Sequence, residues 1–347
     1  MFAFVIQMIR TSIFLTDHEM WANQINYFLS NNPQQFDFHM AYGHPGTTLV
    51  VLGAIIYKVF GVSFSHALTI TISFIIALLT ATSAVLCFIL RPETLWWFTT
   101  AFILTMSRFY VTATPPTATV MSFVILLVLL SCWLYELKLF ASRWLYFLYG
   151  VLLGLSAATR LDVTLLIGVP LFMLLSFKAG IRAALHVVSG CVLSFFLADP
   201  FLWFMPIQHL IDLVSKFTLH YSNFGTSRSL PVNEWIHGVP LALMSILWFL
   251  FLALRQRFSM LVSVHVMSVF LGITFFAVLM LIQSKFQSIR YLYPLIIVWE
   301  IFLPLFVLPA DKDRVLAKSL VLDAKTVRVI SVFVIGAQLF GYLFMFE

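Results

Sequence analysis

Residues 45–60 read PGTTLVVLGAIIYKVF, and the topology of the whole chain turns on whether that stretch crosses a membrane. It is apolar enough to do so. Further apolar runs stand at 1–16, 65–90, 94–111, 117–139, 144–158, 161–177, 181–198, 236–254, 259–283, 290–309 and 327–346. Runs of this kind read as spanning helices, because a helix satisfies every backbone polar group within the segment. The composition agrees. Hydrophobic residues make up 62% and charged residues 10% of the 347 positions, with a mean hydropathy of +1.02. That balance outweighs the two soluble domains that length alone would predict.

Orientation comes from the lysines and arginines of the loops. One set of loops holds Arg91, Lys138, Arg143, Lys178, Arg182, Arg255, Arg257, Lys312, Arg314, Lys318, Lys325 and Arg328. The opposite set holds Lys58, Arg108, Arg160, Lys216, Arg228, Lys285 and Arg290, spread over much more loop sequence. The first set is therefore cytoplasmic. Were 45–60 to span, every later loop would change sides relative to Asp17. Reading 45–60 as a juxtamembrane helix on the outer surface restores parity. Segment 18–30 (HEMWANQINYFLS) mixes polar and aromatic residues at helical spacing and suits the interface as well. Segment 206–224 (PIQHLIDLVSKFTLHYSNF) is amphipathic and is expected along the outer surface.

The expected architecture is an all-α polytopic membrane protein of about 11 transmembrane helices, counted from these runs. Residues 1–347 form one transmembrane domain, with long outer loops at 17–64 and 199–235. Long loops on a membrane protein carry function more often than short ones. The formal charge of +6 reflects loop cations, which makes nucleic acid a poor partner. Cys87, Cys132 and Cys191 sit inside apolar runs without CxxC spacing and read as small core residues. The N-terminal run has no small-residue cleavage site and reads as a retained helix.

The first outer loop carries TDHEMW at 16–21 and FDFHMAYGHPGTTL at 36–49. Asp17 and Glu19, at the exit of an apolar run, can supply a general base and a partner that sets its pKa. With His18, His39 or His44 they could also help hold a divalent cation. Ordinary capping acids at a solvated helix end would look the same. Arg290 stands where a late apolar run begins, with Lys285 and Tyr293 nearby. A guanidinium there is suited to phosphate, and also to anchoring a helix by snorkelling. Arg160 and Asp162 lie between two apolar runs and read either as a self-neutralising pair or as part of a donor site. Asp199, before Pro200, reads as a helix cap. His220 and Tyr221 could line an acceptor groove.

The order of these features resembles the GT-C superfamily of membrane glycosyltransferases, especially its protein-mannosyltransferase and aminoarabinose-transferase branches. The resemblance rests on TDHE at 16–19, GHPGTTLVVLGAIIYKVFG at 43–61, GLSAATRLDVTLLIGVPLFMLL at 154–175, ADPFLWFMP at 198–206 and SIRYLYPLIIVW at 288–299. It covers residues 10–308 in the family's order. It implies a GT-C-like bundle with outer-face juxtamembrane helices, Asp17 as the catalytic carboxylate supported by Glu19, and a donor phosphate held by Arg290, Lys285 and Tyr293. His18, His39, His44, Arg160 and His220 become candidates for acceptor or metal support, with a divalent cation left open as cofactor. Two departures stand out. The family's usual Asp-Glu dipeptide is split here by His18. Its acid before the fourth span is missing from VTATPPTATV at 111–120, so Pro116 or Thr117 occupies that place.

The function expected from this reading is transfer of a sugar from a polyprenyl-phosphate donor to a lipid, glycan or protein acceptor. It would take place on the outer face of a bacterial inner membrane. The absence of GxGxxG and Walker motifs fits a lipid-linked donor. A flippase of a lipid-linked saccharide would also carry intramembrane charges such as Arg160, Asp162 and Glu300, together with internal repeats. An inactive membrane scaffold would account for the missing acid.

Overall fold

The computed structural model describes residues 15–30, 46–90, 115–136, 143–161, 163–165, 168, 172–173, 176 and 179–223. Among the described residues the regular structure is helical and no strand occurs. Helix α1 spans Leu15–Leu29, α2 Thr47–Phe60, α3 Phe64–Leu90 and α4 Pro115–Glu136. They are followed by α5 Arg143–Thr159, α6 Ile181–Ala198, the single turn α7 Phe201–Phe204, and α8 Pro206–Asn223. The apolar runs at 65–90, 117–139, 144–158 and 181–198 are α3, α4, α5 and α6. Helical backbone recurs at the described positions between 161 and 179. The runs at 94–111, 236–254, 259–283, 290–309 and 327–346, and residues 1–14, lie outside the described residues.

Among the described residues two helices, α3 and α6, are long and apolar enough to cross a membrane. The stretch that decided the topology is shorter. α2 has 14 residues, which at 1.5 Å per residue is about 21 Å, against a hydrocarbon core of about 30 Å. Glycines bound it: Gly46 before its first residue has φ 61° and Gly61 after its last has φ 63°. Both are left-handed conformations that a Cβ disfavours. Gly61 N–H bonds the Tyr57 carbonyl and closes the last turn. α1 begins at Leu15, so Thr16–Glu19 lie in its first turns.

α4 is apolar all round and sits at the centre, with Met121, Ile125, Leu127 and Leu129 buried. It runs antiparallel to α5: Arg160, just past α5, bonds Thr117 at one end, and Ser131 Oγ donates to Tyr149 Oη at 3.1 Å near the other. α5 and α6 are parallel. A Cβ on Gly150 would overlap the Val187 carbonyl and the Cys191 nitrogen, and one on Gly154 would overlap Cys191, Ser194 and Phe195. From the other side, a Cβ on Gly190 would meet the backbone of Phe147 and Val151. Ser194 Oγ donates to the Val151 carbonyl at 3.0 Å, tying the same seam. Small residues let two backbones approach this closely, the usual means of helix association in lipid. Most large residues of α6 point away from the protein: Ile181, Leu185, Val188, Val192 and Phe196 are exposed, while Val187 is buried with Ala183, Ala184, Gly190 and Ser194. α3 likewise exposes Phe74, Leu78, Val85 and Ile89 along one side.

Candidate functional site at one end of the bundle

The antiparallel pairing of α4 with α5 and the parallel pairing of α5 with α6 bring three helix ends together. They are the N-terminus of α4 and the C-termini of α5 and α6. The N-terminus of α2 joins them. A helix C-terminus leaves four carbonyls without intrahelical partners; for α5, part of that requirement is met from α2. Gly46 N–H bonds the Thr159 carbonyl at 3.3 Å. Thr47 Oγ1 donates to the Ala158 carbonyl at 3.2 Å, and Thr48 Oγ1 to the Leu155 carbonyl at 3.1 Å. The indole of Trp21 in α1 lies against Gly46, where a Cβ would collide with the ring. α1 is therefore fixed to the same corner.

Arg160 follows directly on α5 and is 5% exposed. Its guanidinium donates to the Thr117 hydroxyl, and a cation at a helix C-terminus is favoured by the aligned peptide dipoles. Around it, Thr159 Oγ1 donates to the Leu155 carbonyl, and the Ser156 and Thr164 hydroxyls share a hydrogen bond of 2.7 Å. The corner is thus a buried polar cluster on an otherwise apolar bundle. Thr117, beside Pro116, makes its contact with this arginine.

Asp17 falls in the first turns of α1, four residues before Trp21; its side chain lies outside the described atoms. Glu19 is exposed. His18 is buried, with Nε2 at 3.1 Å from the Ser65 carbonyl and 3.2 Å from Thr69 Oγ1. A carbonyl partner calls for a proton on Nε2. In this arrangement that nitrogen ties α1 to the first turn of α3 and is not presented to a metal. Among the described residues no group of three or more His, Cys, Asp or Glu side chains is gathered as a metal site. His39, His44, Lys285, Arg290, Tyr293 and Asp162 lie outside the described residues, and so does the side chain of His220, which falls within α8. The structure therefore brings Trp21, one turn after Asp17, and Arg160 to one corner, while His18 of the acidic turn is tied to the start of α3.

His209 was not singled out by the sequence. Asp199, fully buried, accepts from Phe201 N–H at 3.2 Å, as its reading as a cap requires. It also takes a 2.7 Å bond from His209 Nε2, whose residue is 7% exposed. The Phe201 ring lies beside that imidazole, with centroids 5.5 Å apart. The pair holds the turn that carries the chain from α6 through Pro200 and Pro206 into α8. A histidine ten residues after an acid, with two prolines between, is the only local signal for it.

No family model, curated protein or solved structure matches the chain.

Proposed function

We propose that this chain is an inverting GT-C-type glycosyltransferase, a bundle of about 11 transmembrane helices by the run count above. It would use a polyprenyl-phosphate sugar on the outer face of a bacterial inner membrane. The observation that carries the reading is the corner where Trp21, one turn after Asp17, packs against Gly46, whose N–H bonds the α5 terminus beside Arg160. The family resemblance assigns the base to Asp17 and includes the segment 154–175 that holds Arg160. A lipid-linked donor needs a cation for its phosphate at the membrane edge, a base near its sugar and an apolar path for its tail.

In the proposed reaction the acceptor oxygen attacks the anomeric carbon as its proton passes to the Asp17 carboxylate. The bond from that carbon to the phosphate oxygen breaks, and the polyprenyl phosphate leaves with the electron pair. One displacement inverts the centre. Glu19 supports the acid, and Arg290, Lys285 and Tyr293 hold the departing phosphate.

The full chain in proteoliposomes tests this. Asp17→Asn lowers turnover of a polyprenyl-phosphate sugar by about two to four orders of magnitude with expression maintained, and Glu19→Gln costs less. Full activity in both variants removes the acid–base assignment. Binding of polyprenyl phosphate weakens in the order Arg290→Ala, then Arg290→Lys, with a deficit of about 1.5–3 kcal/mol for the alanine. Unchanged binding in the alanine variant strikes Arg290 from the site.

A further inference from the structure

An amphipathic helix packed on a soluble protein turns its apolar stripe inward and its ionisable groups to water. α8 departs from that pattern by turning an apolar stripe outward. Ile207, Leu210, Ile211 and Val214, at the spacing i, i+3, i+4, i+7, form an outward stripe, with Ile207 74% and Val214 66% exposed. The inward edge carries His209, bonded to Asp199, and Leu213. A third edge carries Gln208, Asp212 and Ser215, where Gln208 Nε2 donates to Asp212 Oδ1 at 3.0 Å. At 3.6 residues per turn these three edges are centred about 120° apart. The helix thus has one side for the protein, one for a polar phase and one for an apolar phase.

The apolar stripe is continuous with the outward side of α6. From Val192, Phe196 and Leu197 it passes through the exposed Trp203 and Met205 to Ile207. Asp199 is the sole charged residue in that stretch, and it is buried. α6 has 18 residues, about 27 Å of helix, close to the thickness of a hydrocarbon core. Trp203 stands at the corner with its indole N–H bonded to the Phe196 carbonyl, and Trp is the residue enriched at headgroup level.

We propose that α8 lies in the headgroup–acyl boundary of the bilayer that α6 crosses, with Ile207, Leu210, Ile211 and Val214 toward the acyl chains. Gln208, Asp212 and Ser215 face the headgroups, and the Asp199–His209 pair fixes the bend between the two helices. The proposal goes beyond the glycosyltransfer reading and does not need it. A lipid occupant is favoured over a second copy of the chain because the stripe continues onto α6 without a polar rim, which a protein interface would carry.

Spin labels placed singly at 207, 208, 211, 212, 214 and 215, in a full chain with Cys87, Cys132 and Cys191 replaced by alanine, test this in phosphatidylcholine–phosphatidylglycerol vesicles. Labels at 207, 211 and 214 collide with dissolved oxygen more than with an aqueous nickel chelate, and those at 208, 212 and 215 show the reverse. Equal chelate access at all six positions, or shielding of 207, 211 and 214 from both reagents, overturns the proposal. Shielding with spin–spin broadening identifies a second copy instead. Labels at Leu185 and Val192 on α6 separate the failures: chelate access there removes the membrane reading itself, whereas access confined to α8 removes this inference only. The unsubstituted chain supplies an independent readout. A photoactivatable phospholipid modifies peptides containing Ile207–Val214, and absence of that modification overturns the proposal.

Discussion

α5 and α6 meet backbone to backbone, whereas α1 and α2 meet through side chains. In the first contact Gly150, Gly154 and Gly190 leave no room for a Cβ against the opposite main chain. In the second, glycines of α2 receive the ends of large side chains: the Trp21 ring lies at Gly46 and the Ile25 Cδ1 at Gly53. The two interfaces expose different things. α6 turns most of its large residues outward, Val187 excepted, while Trp21, Ile25, Leu49 and Met121 are buried in the region built around α4. Small residues inward and large residues outward is an arrangement suited to lipid, where burying a leucine brings little gain over leaving it among acyl chains. The α1–α2–α4 region follows the opposite rule, in which large apolar side chains fill a close-packed interior.

Substitutions can break that comparison, beginning with the largest effect. Gly150→Val with Gly154→Val pushes α5 off α6 by main-chain overlap, and destabilises by about 2–6 kcal/mol if each overpacked site costs about 1–3. Detergent-titrated unfolding reads this, and a loss below about 1 kcal/mol would mean the seam is not backbone to backbone. Ile25→Ala follows at about 2–5 kcal/mol, the cost of a cavity where the side chain had filled its site. Next comes a matched pair. Both Gly154→Ala and Gly53→Ala gain up to about 1 kcal/mol of helix propensity, but the first meets rigid backbone and the second a side-chain end that can turn aside. Gly154→Ala therefore unfolds more easily than Gly53→Ala by about 1–3 kcal/mol; equal values would erase the distinction. Smallest is Leu185→Ala on the outward side of α6, within about 0.5 kcal/mol of the parent in the same titration.

Much of the helical framework was legible because apolar runs report it directly. The ends of α6 fall where the run at 181–198 does, and those of α3, α4 and α5 fall within a few residues of theirs. The stretch at 150–154, GVLLG, carries the small-residue spacing of a close helix contact. Its partner could not be read, because that depends on the segment between α5 and α6 reversing the chain. The site was less legible. Asp17, His18 and Glu19 were found as ionisable groups beside an apolar run, and they fall in the first turns of α1. His18 looked like a metal candidate, and its bond to Ser65 depends on how α1 and α3 pack. His209 meets Asp199 only because two proline turns fold α8 back, a tertiary event with little trace in hydropathy.

The joint between α2 and α5 has a consequence for how the chain is made. Thr47 hydrogen-bonds a carbonyl 111 residues further along, and Thr48 one 107 residues further along. At a synthesis rate of about 5–20 residues per second, the start of α2 emerges on the order of 6–20 s before its partner exists. For that interval the hydroxyls of Thr47 and Thr48 must be served by water or by the insertion machinery. Docking of the start of α2 onto α5 waits on the emergence of α5, so a chain stalled before residue 159 would hold α1, α2 and α3 together without the joint that brings Arg160 to them.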